Sequence, residues 1–262
     1  MEKKERPLIL VTNDDGVTAK GIQSLVLAMS TLGDVIVVAP DKPQSGMGHA
    51  VTIHHPIRIS PVEVPYAKES YACSGTPVDC VKIALYTILD RKPDIVVSGI
   101  NHGSNSSINV IYSGTMSAAV EGAVEGIPSV GFSLLDYDLD ADFSASQKVA
   151  IEIVKLVLSD ALFPERVCLN VNIPKGPTVA GIKICRQANG MWHEQFNERI
   201  DPYQKKYYWM TGEFKVNDQG EDTDDFALKN NFVSVVPVQF DLTAYHAISH
   251  LQQWNIHRYG NE

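Results

Sequence analysis

Between residues 8 and 132, short apolar runs alternate with stretches whose apolar side chains recur every three or four positions. The short runs, at 8–11, 35–39, 95–97 and 130–132, are rich in β-branched residues and do not alternate strictly with polar ones. That is the pattern of parallel strands covered on both faces. A helix is expected after Thr18, with Ile22, Leu25, Val26 and Met29 on one face. A second is expected from Thr76, which would cap it, with Pro77 at the first helical position and Asp79 at the third as a capping box. A third opens at Ser113-Gly114-Thr115 and is rich in small residues that allow close packing on a sheet. Strand–helix repetition of this kind predicts an α/β fold with a doubly wound, mostly parallel sheet, whose ligands bind beyond the carboxyl ends of the strands.

Beyond residue 131 the pattern loosens. Residues 141–158 read as an amphipathic helix, 167–173 and 181–185 as strands, and 187–214 as an aromatic-rich excursion that includes Tyr207, Tyr208 and Trp209. Aromatic density of this kind calls for a partner surface, so the excursion is expected to be an oligomerisation arm. An acidic turn at 221–225, a strand at 232–236 and a short helix at about 242–254 complete the chain. The expected organisation is one domain over 1–262, with a Rossmann-like core over about 1–135 and the completing elements and arm over about 136–262.

Composition narrows the partners. A net charge of −9 leaves no basic excess for blanket attraction to a nucleic acid polymer, and no run approaches the length of a membrane span. The apolar stretch near the start is too short for a signal-peptide core. Cys73, Cys80, Cys168 and Cys185 form no C-x-x-C pair and read as buried thiols of a reducing cytoplasm.

The candidate chemistry lies in four loops. Asn13-Asp14-Asp15-Gly16 directly follows the first strand. Two adjacent carboxylates there repel each other unless a cation or a shared proton intervenes, and hard oxygen donors select Mg²⁺, Mn²⁺ or Ca²⁺. Taken alone, the same four residues also suit an ordinary turn with a helix cap. The loop after the second strand supplies Ser45 between flexible glycines, and the loop after 95–97 supplies Asn101 and Asn105. In a doubly wound sheet these loops meet on one edge, as a single metal site requires. The Ser113-Gly114-Thr115 turn offers helix amides to a phosphate. His49 and His102 stand inside two of the loops as candidates for proton transfer or for supporting the ligands. The chain has no Walker A lysine motif, no G-x-G-x-x-G and no G-x-S-x-G.

Taken in order, LILVTNDDG, VVAPDKPQSG, GHAVTIHHPIRI, CSGTPVDCVKIAL, PDIVVSGINHGSN, YSGTMSAAVEG, GIPSVGFS, LNVNIP, YYWMTGE and DTDDFALKNNFVSVVPVQFDLT resemble the SurE family of nucleotidases nearly end to end. The resemblance implies a homodimer or homotetramer formed partly by exchange of C-terminal segments. It implies one divalent metal ion per subunit, Mg²⁺ or Mn²⁺, held by Asp14, Asp15, Ser45 and Asn101. It also implies hydrolysis of nucleoside 5′- and 3′-monophosphates, with short polyphosphate as a side substrate. Catalytic roles are expected for Asp14, Asp15, Asn13 and His102, and contacts to the substrate for Ser113, Gly114, Thr115 and Asn105. The acid that serves as general base is open between Asp14 and Asp15. His102 stands where the family often has Arg, and NSSINVI at 105–111 departs from the usual Gly and Asp; these positions border the substrate rather than the metal, so they leave base preference open and not the reaction. A nucleotide-binding module without turnover is the alternative, against which the intact ligand set speaks.

Overall fold

The computed structural model describes residues 6–138 and 140–254. A sheet of nine strands forms its centre, in the order β3-β4-β2-β1-β5-β6-β7-β11-β8. β1 (Leu8–Thr12), β2 (Asp34–Pro40), β4 (Glu69–Cys73), β5 (Ile95–His102), β6 (Ser129–Leu134) and β7 (Val167–Ile173) are mutually parallel. β3 (Ile59–Pro61) closes one edge antiparallel to β4. On the other side β11 (Phe232–Gln239) runs antiparallel to β7, and β8 (Gly181–Ile184) lies parallel to β11.

Both faces of the central strands are buried because their side chains feed two cores. Ile9, Val11, Val35, Val37, Ile95 and Val97 pack against α1 (Lys20–Ser30) and α4 (Ser144–Ser159). Leu10, Ile36, Val38 and Val96 point the other way, toward α2 (Pro77–Ile83) and Ala118 of α3 (Gly114–Val124). Ile22, Leu25, Val26 and Met29 form the buried face of α1, as their spacing predicts. The capping box of α2 is complete: the Thr76 hydroxyl accepts from Asp79 N, and Asp79 accepts from Thr76 N. The α2 pattern runs on past Ile83 as a π turn over Ala84–Ile88.

The sheet order reverses between β1 and β5, where the chain first builds outward through β2 and β4 and then returns to the opposite side of β1. A crevice opens at such a switch point, beyond the carboxyl ends of its two strands.

The aromatic excursion is a two-stranded antiparallel ribbon of β9 (Gly190–Ile200) and β10 (Lys206–Val216), separate from the main sheet. Every residue of β9 after Gly190 is exposed. The acidic 221–225 segment is not a free turn: Thr223 caps α5 (Asp224–Lys229), and Asp224 is fully buried. α6 (Tyr245–Leu251) buries none of its residues. Among the described residues, no helix is long and apolar enough to cross a membrane.

Candidate metal and phosphate site

β1 delivers Asn13, Asp14 and Asp15 into the crevice. Asn13 is buried and folded back on its own turn: its amide donates to Gly16 O at 2.9 Å and its carbonyl accepts from Gly16 N at 3.2 Å. That closes the turn and leaves one amide hydrogen for another acceptor. Asp14 is 4% exposed, and Asp15 is half-buried beside it.

Burial pushes the Asp14 carboxyl up to about 6, and the neighbouring Asp15 charge adds to the rise against a hydrogen bond from the Thr115 hydroxyl. Burial raises Asp15 as well, opposed by the backbone N–H and the charge of His102. Neither carboxylate forms an ion pair with a described residue: the closest donor to Asp15 is His102 N, at 3.4 Å. Two desolvated acids of like charge with no protein cation between them fit a divalent metal ion.

The other two donors arrive from neighbouring loops. β5 shifts its register between Ser98 and Asn101, which re-aims its carboxyl end. The Asn101 amide donates to Gly103 O at 2.9 Å, and this fixes the orientation of its carbonyl oxygen. Ser45 is exposed in the loop after β2, which turns through Gly46 and Gly48 at φ values of 75° and 55°. The same loop is tied to the acidic turn by Gln44 N, which donates to Asp14 O at 2.7 Å. All four side chains present hard oxygen, the donor class of Mg²⁺ and Mn²⁺.

α3 approaches the acids end-on. Ser113 caps it, its hydroxyl accepting from Met116 N at 3.0 Å, so the hydroxyl hydrogen remains for another acceptor. Thr115 behaves differently, because its hydroxyl donates to Asp14 Oδ1. Gly114 permits the contact: a Cβ at this position would come within 2.6 Å of the Asp14 side chain. A helix N-terminus thus abuts the more deeply buried of the two carboxylates.

The substrate-side residues divide. Asn105 is buried; its amide donates to Ser133 Oγ at 2.8 Å, its N–H donates to Asn172 Oδ1 at 2.8 Å, and its carbonyl accepts from Asn170 at 2.9 Å. The two asparagines of LNVNIP are therefore the scaffold for this loop, a role their place on a buried strand gave no sign of. His102 sets its ring edge against Phe143, with centroids 5.2 Å apart, and its Nδ1 is buried without a partner among the described residues. His49 is not free, because its Nε2 lies 2.8 Å from Glu121 Oε2.

The survival protein SurE family model matches residues 9–194. The 5′-nucleotidase SurE of Christiangramia forsetii is 60% identical over 257 residues, covering 97% of this chain and 98% of that protein. The protein of the same name from Flavobacterium psychrophilum is 57% identical over 256 residues, covering 97% of this chain and 99% of its own. The crystal structure of the SurE protein from Aquifex aeolicus superposes with a TM-score of 0.81 at 40% identity, covering 94% of this chain and 98% of that one.

Proposed function

This chain belongs to the SurE family, and on that premise we propose that it is a metal-dependent phosphomonoesterase that hydrolyses nucleoside 5′- and 3′-monophosphates to nucleoside and phosphate, with short polyphosphate as a further substrate. Its enzymatic character and its nucleotidase class rest on relatives that match almost its whole length. The observation that carries the site assignment is the contact of Asp14 with the start of α3, through Gly114 and Thr115. It joins a place for a cation to a place for a phosphoryl group.

Asp14, Asp15, Ser45 and Asn101 hold the ion, Mg²⁺ or Mn²⁺, one per subunit. Bound there, a divalent ion polarises a phosphoryl oxygen and makes a water more acidic. The amides of Gly114 and Thr115, the Ser113 hydroxyl and the remaining amide hydrogen of Asn13 receive the equatorial oxygens of the phosphoryl group. Asp15, which keeps only the long bond from His102 N, accepts the proton of the attacking water. His102 supplies the proton to the departing ribose oxygen. Asn105 acts on the substrate by fixing the 104–107 backbone against β6 and β7.

The exposed ribbon supports a homodimer or homotetramer, with β9–β10 as the arm. Four free, buried cysteines suit the cytoplasm.

Phosphate release from a panel of mononucleotides, ribose 5-phosphate and polyphosphate, in EDTA and with Mg²⁺ or Mn²⁺ restored, tests the proposal. Turnover of mononucleotides that returns only with the ion is the expected result. Turnover undiminished in excess chelator would remove the metal assignment.

A further inference from the structure

Glu121 is a carboxylate that the proposed chemistry does not use, yet it is 2% exposed inside α3, the helix whose N-terminus forms the phosphate cradle. Buried glutamates are rare unless paired. Its two oxygens take partners from different parts of the chain: Lys82 of α2 on Oε1, and His49 at 2.8 Å on Oε2. Burial works against the charged form of Glu121, but the two hydrogen bonds outweigh it and hold the carboxyl below its ordinary range. Fastening α2 to α3 needs only the lysine. The histidine comes instead from the Ser45 loop, and its side chain is 39% exposed, so the bond cannot be ascribed to core packing.

Ser45 lies between two anchors. On one side Gln44 N donates to Asp14 O at 2.7 Å; on the other Gly48 N donates to Tyr112 O at 3.2 Å and His49 reaches Glu121. Without the His49 bond, only main-chain contacts at Gly48 and Ala50 would hold the far side of this exposed loop, and the Ser45 hydroxyl would sample a wider range of positions.

We propose that Glu121 is a positioning residue for the metal centre: by fixing His49 it closes the Ser45 loop onto α3 and presents the serine oxygen to the ion. This rests on the metal reading above, and it makes His49 a loop anchor rather than a proton donor.

Titration of the full-length protein with Mn²⁺, followed by EPR of the free ion, tests it alongside turnover at limiting and saturating Mn²⁺. His49→Ala and Glu121→Gln are each expected to weaken Mn²⁺ binding about 10-fold, the usual scale for losing a group that orients a ligand. Turnover of both should return to within about two-fold of the parent at saturating Mn²⁺. Lys82→Ala, which removes only the helix–helix partner, should leave Mn²⁺ affinity within about two-fold of the parent, and His49→Gln should restore part of the loss. His49 is exposed enough that its alanine variant tests the loop even if Glu121→Gln folds poorly. Unchanged Mn²⁺ affinity in His49→Ala would overturn the proposal. So would a loss of turnover that saturating Mn²⁺ does not restore, which would return His49 to proton transfer. A parent protein that does not bind Mn²⁺ at all would refute the metal reading itself, and the anchor with it.

Discussion

At the carboxyl ends of β1 and β5, polar side chains are buried, and among the described residues Thr12 Oγ1, Ser98 Oγ and His102 Nδ1 find no partner, whereas along β9 and β10 apolar side chains face outward. Asn13 closes its own turn onto Gly16, Asn105, Asn170 and Asn172 bond one another and Ser133 across loop and strands, and Asp14 takes a bond from Thr115. In the ribbon, Phe196, Tyr208, Trp209 and Met210 are more than half exposed. The first region buries two carboxylates without a protein cation; the second exposes apolar side chains without a covering surface among the described residues. On the proposed reading the first takes an ion and the second a protein surface, so they should fail independently.

The sharpest way to break the comparison is to attack the charge. Asp14→Asn or Asp15→Asn should lower kcat on the order of 10³-fold or more, as expected when an ion that activates the nucleophile is lost. The oligomer should be unchanged by light scattering. Full turnover in either variant would show that the acids are a turn and nothing more.

Next in size is the ribbon. Replacing 190–216 by a short turn should reduce the mass seen by light scattering and leave turnover of ribose 5-phosphate within about ten-fold of the parent, because that substrate needs only the metal and the α3 turn. A parent chain that is monomeric at micromolar concentration would show that the exposed aromatics need no partner.

A third test sharpens what the site lacks. Asp14 sits at about 6 against an ordinary 3.8, so the folded, metal-free protein keeps a proton that the unfolded chain releases. Its contribution to stability is fully present below the unfolded value and is lost as pH rises through about 6. The chelated protein should therefore lose Tm between about pH 4 and about pH 6, Asp14→Asn should lose less, and saturating Mn²⁺ should restore Tm at the higher pH. Identical pH profiles for parent and Asp14→Asn would mean that the carboxyl is not desolvated in solution.

The smallest effect concerns the seam between the regions. Trp192 of β9 donates to Asn109 Oδ1 at 2.7 Å, close to the substrate-side turn. Trp192→Phe should raise KM for mononucleotides about two- to five-fold with kcat preserved, the scale of one neutral hydrogen bond. An effect on kcat alone would place the seam nearer the reacting atoms.

Much of the local structure around the candidate site was legible because its signals are local. NDDG, the Thr76 capping box and the Ser113 cap each fit within four residues, and short-range patterns carry them without tertiary information. β3 and β4 escaped notice because they are edge-side strands of polar and small residues, ISP and ESYAC, without an apolar run. Asn105 offers a neutral oxygen by composition, yet its partners lie on β6 and β7, so its inward orientation could not be read from its own loop. Asp224 was hidden for the opposite reason. Among Glu221, Asp222 and Asp225 it looks solvated, but it is fully buried because backbone N–H groups of Ser107, Ala188 and Asp225 point at it.

That carboxylate also bears on the order in which the molecule can be finished. Asp224 bonds Ser107 across 117 positions and Ala188 across 36. Ser107 holds φ at 53°, a backbone state that a non-glycine residue keeps only where surrounding contacts enforce it. During synthesis the loops of the proposed ligands and the 107–111 turn leave the ribosome well before residue 224 exists. An N-terminal fragment would carry every proposed ligand and still present its 107–111 turn unclamped, because the bonds from Ser107 and Ala188 to Asp224 form only after residue 224 has been made.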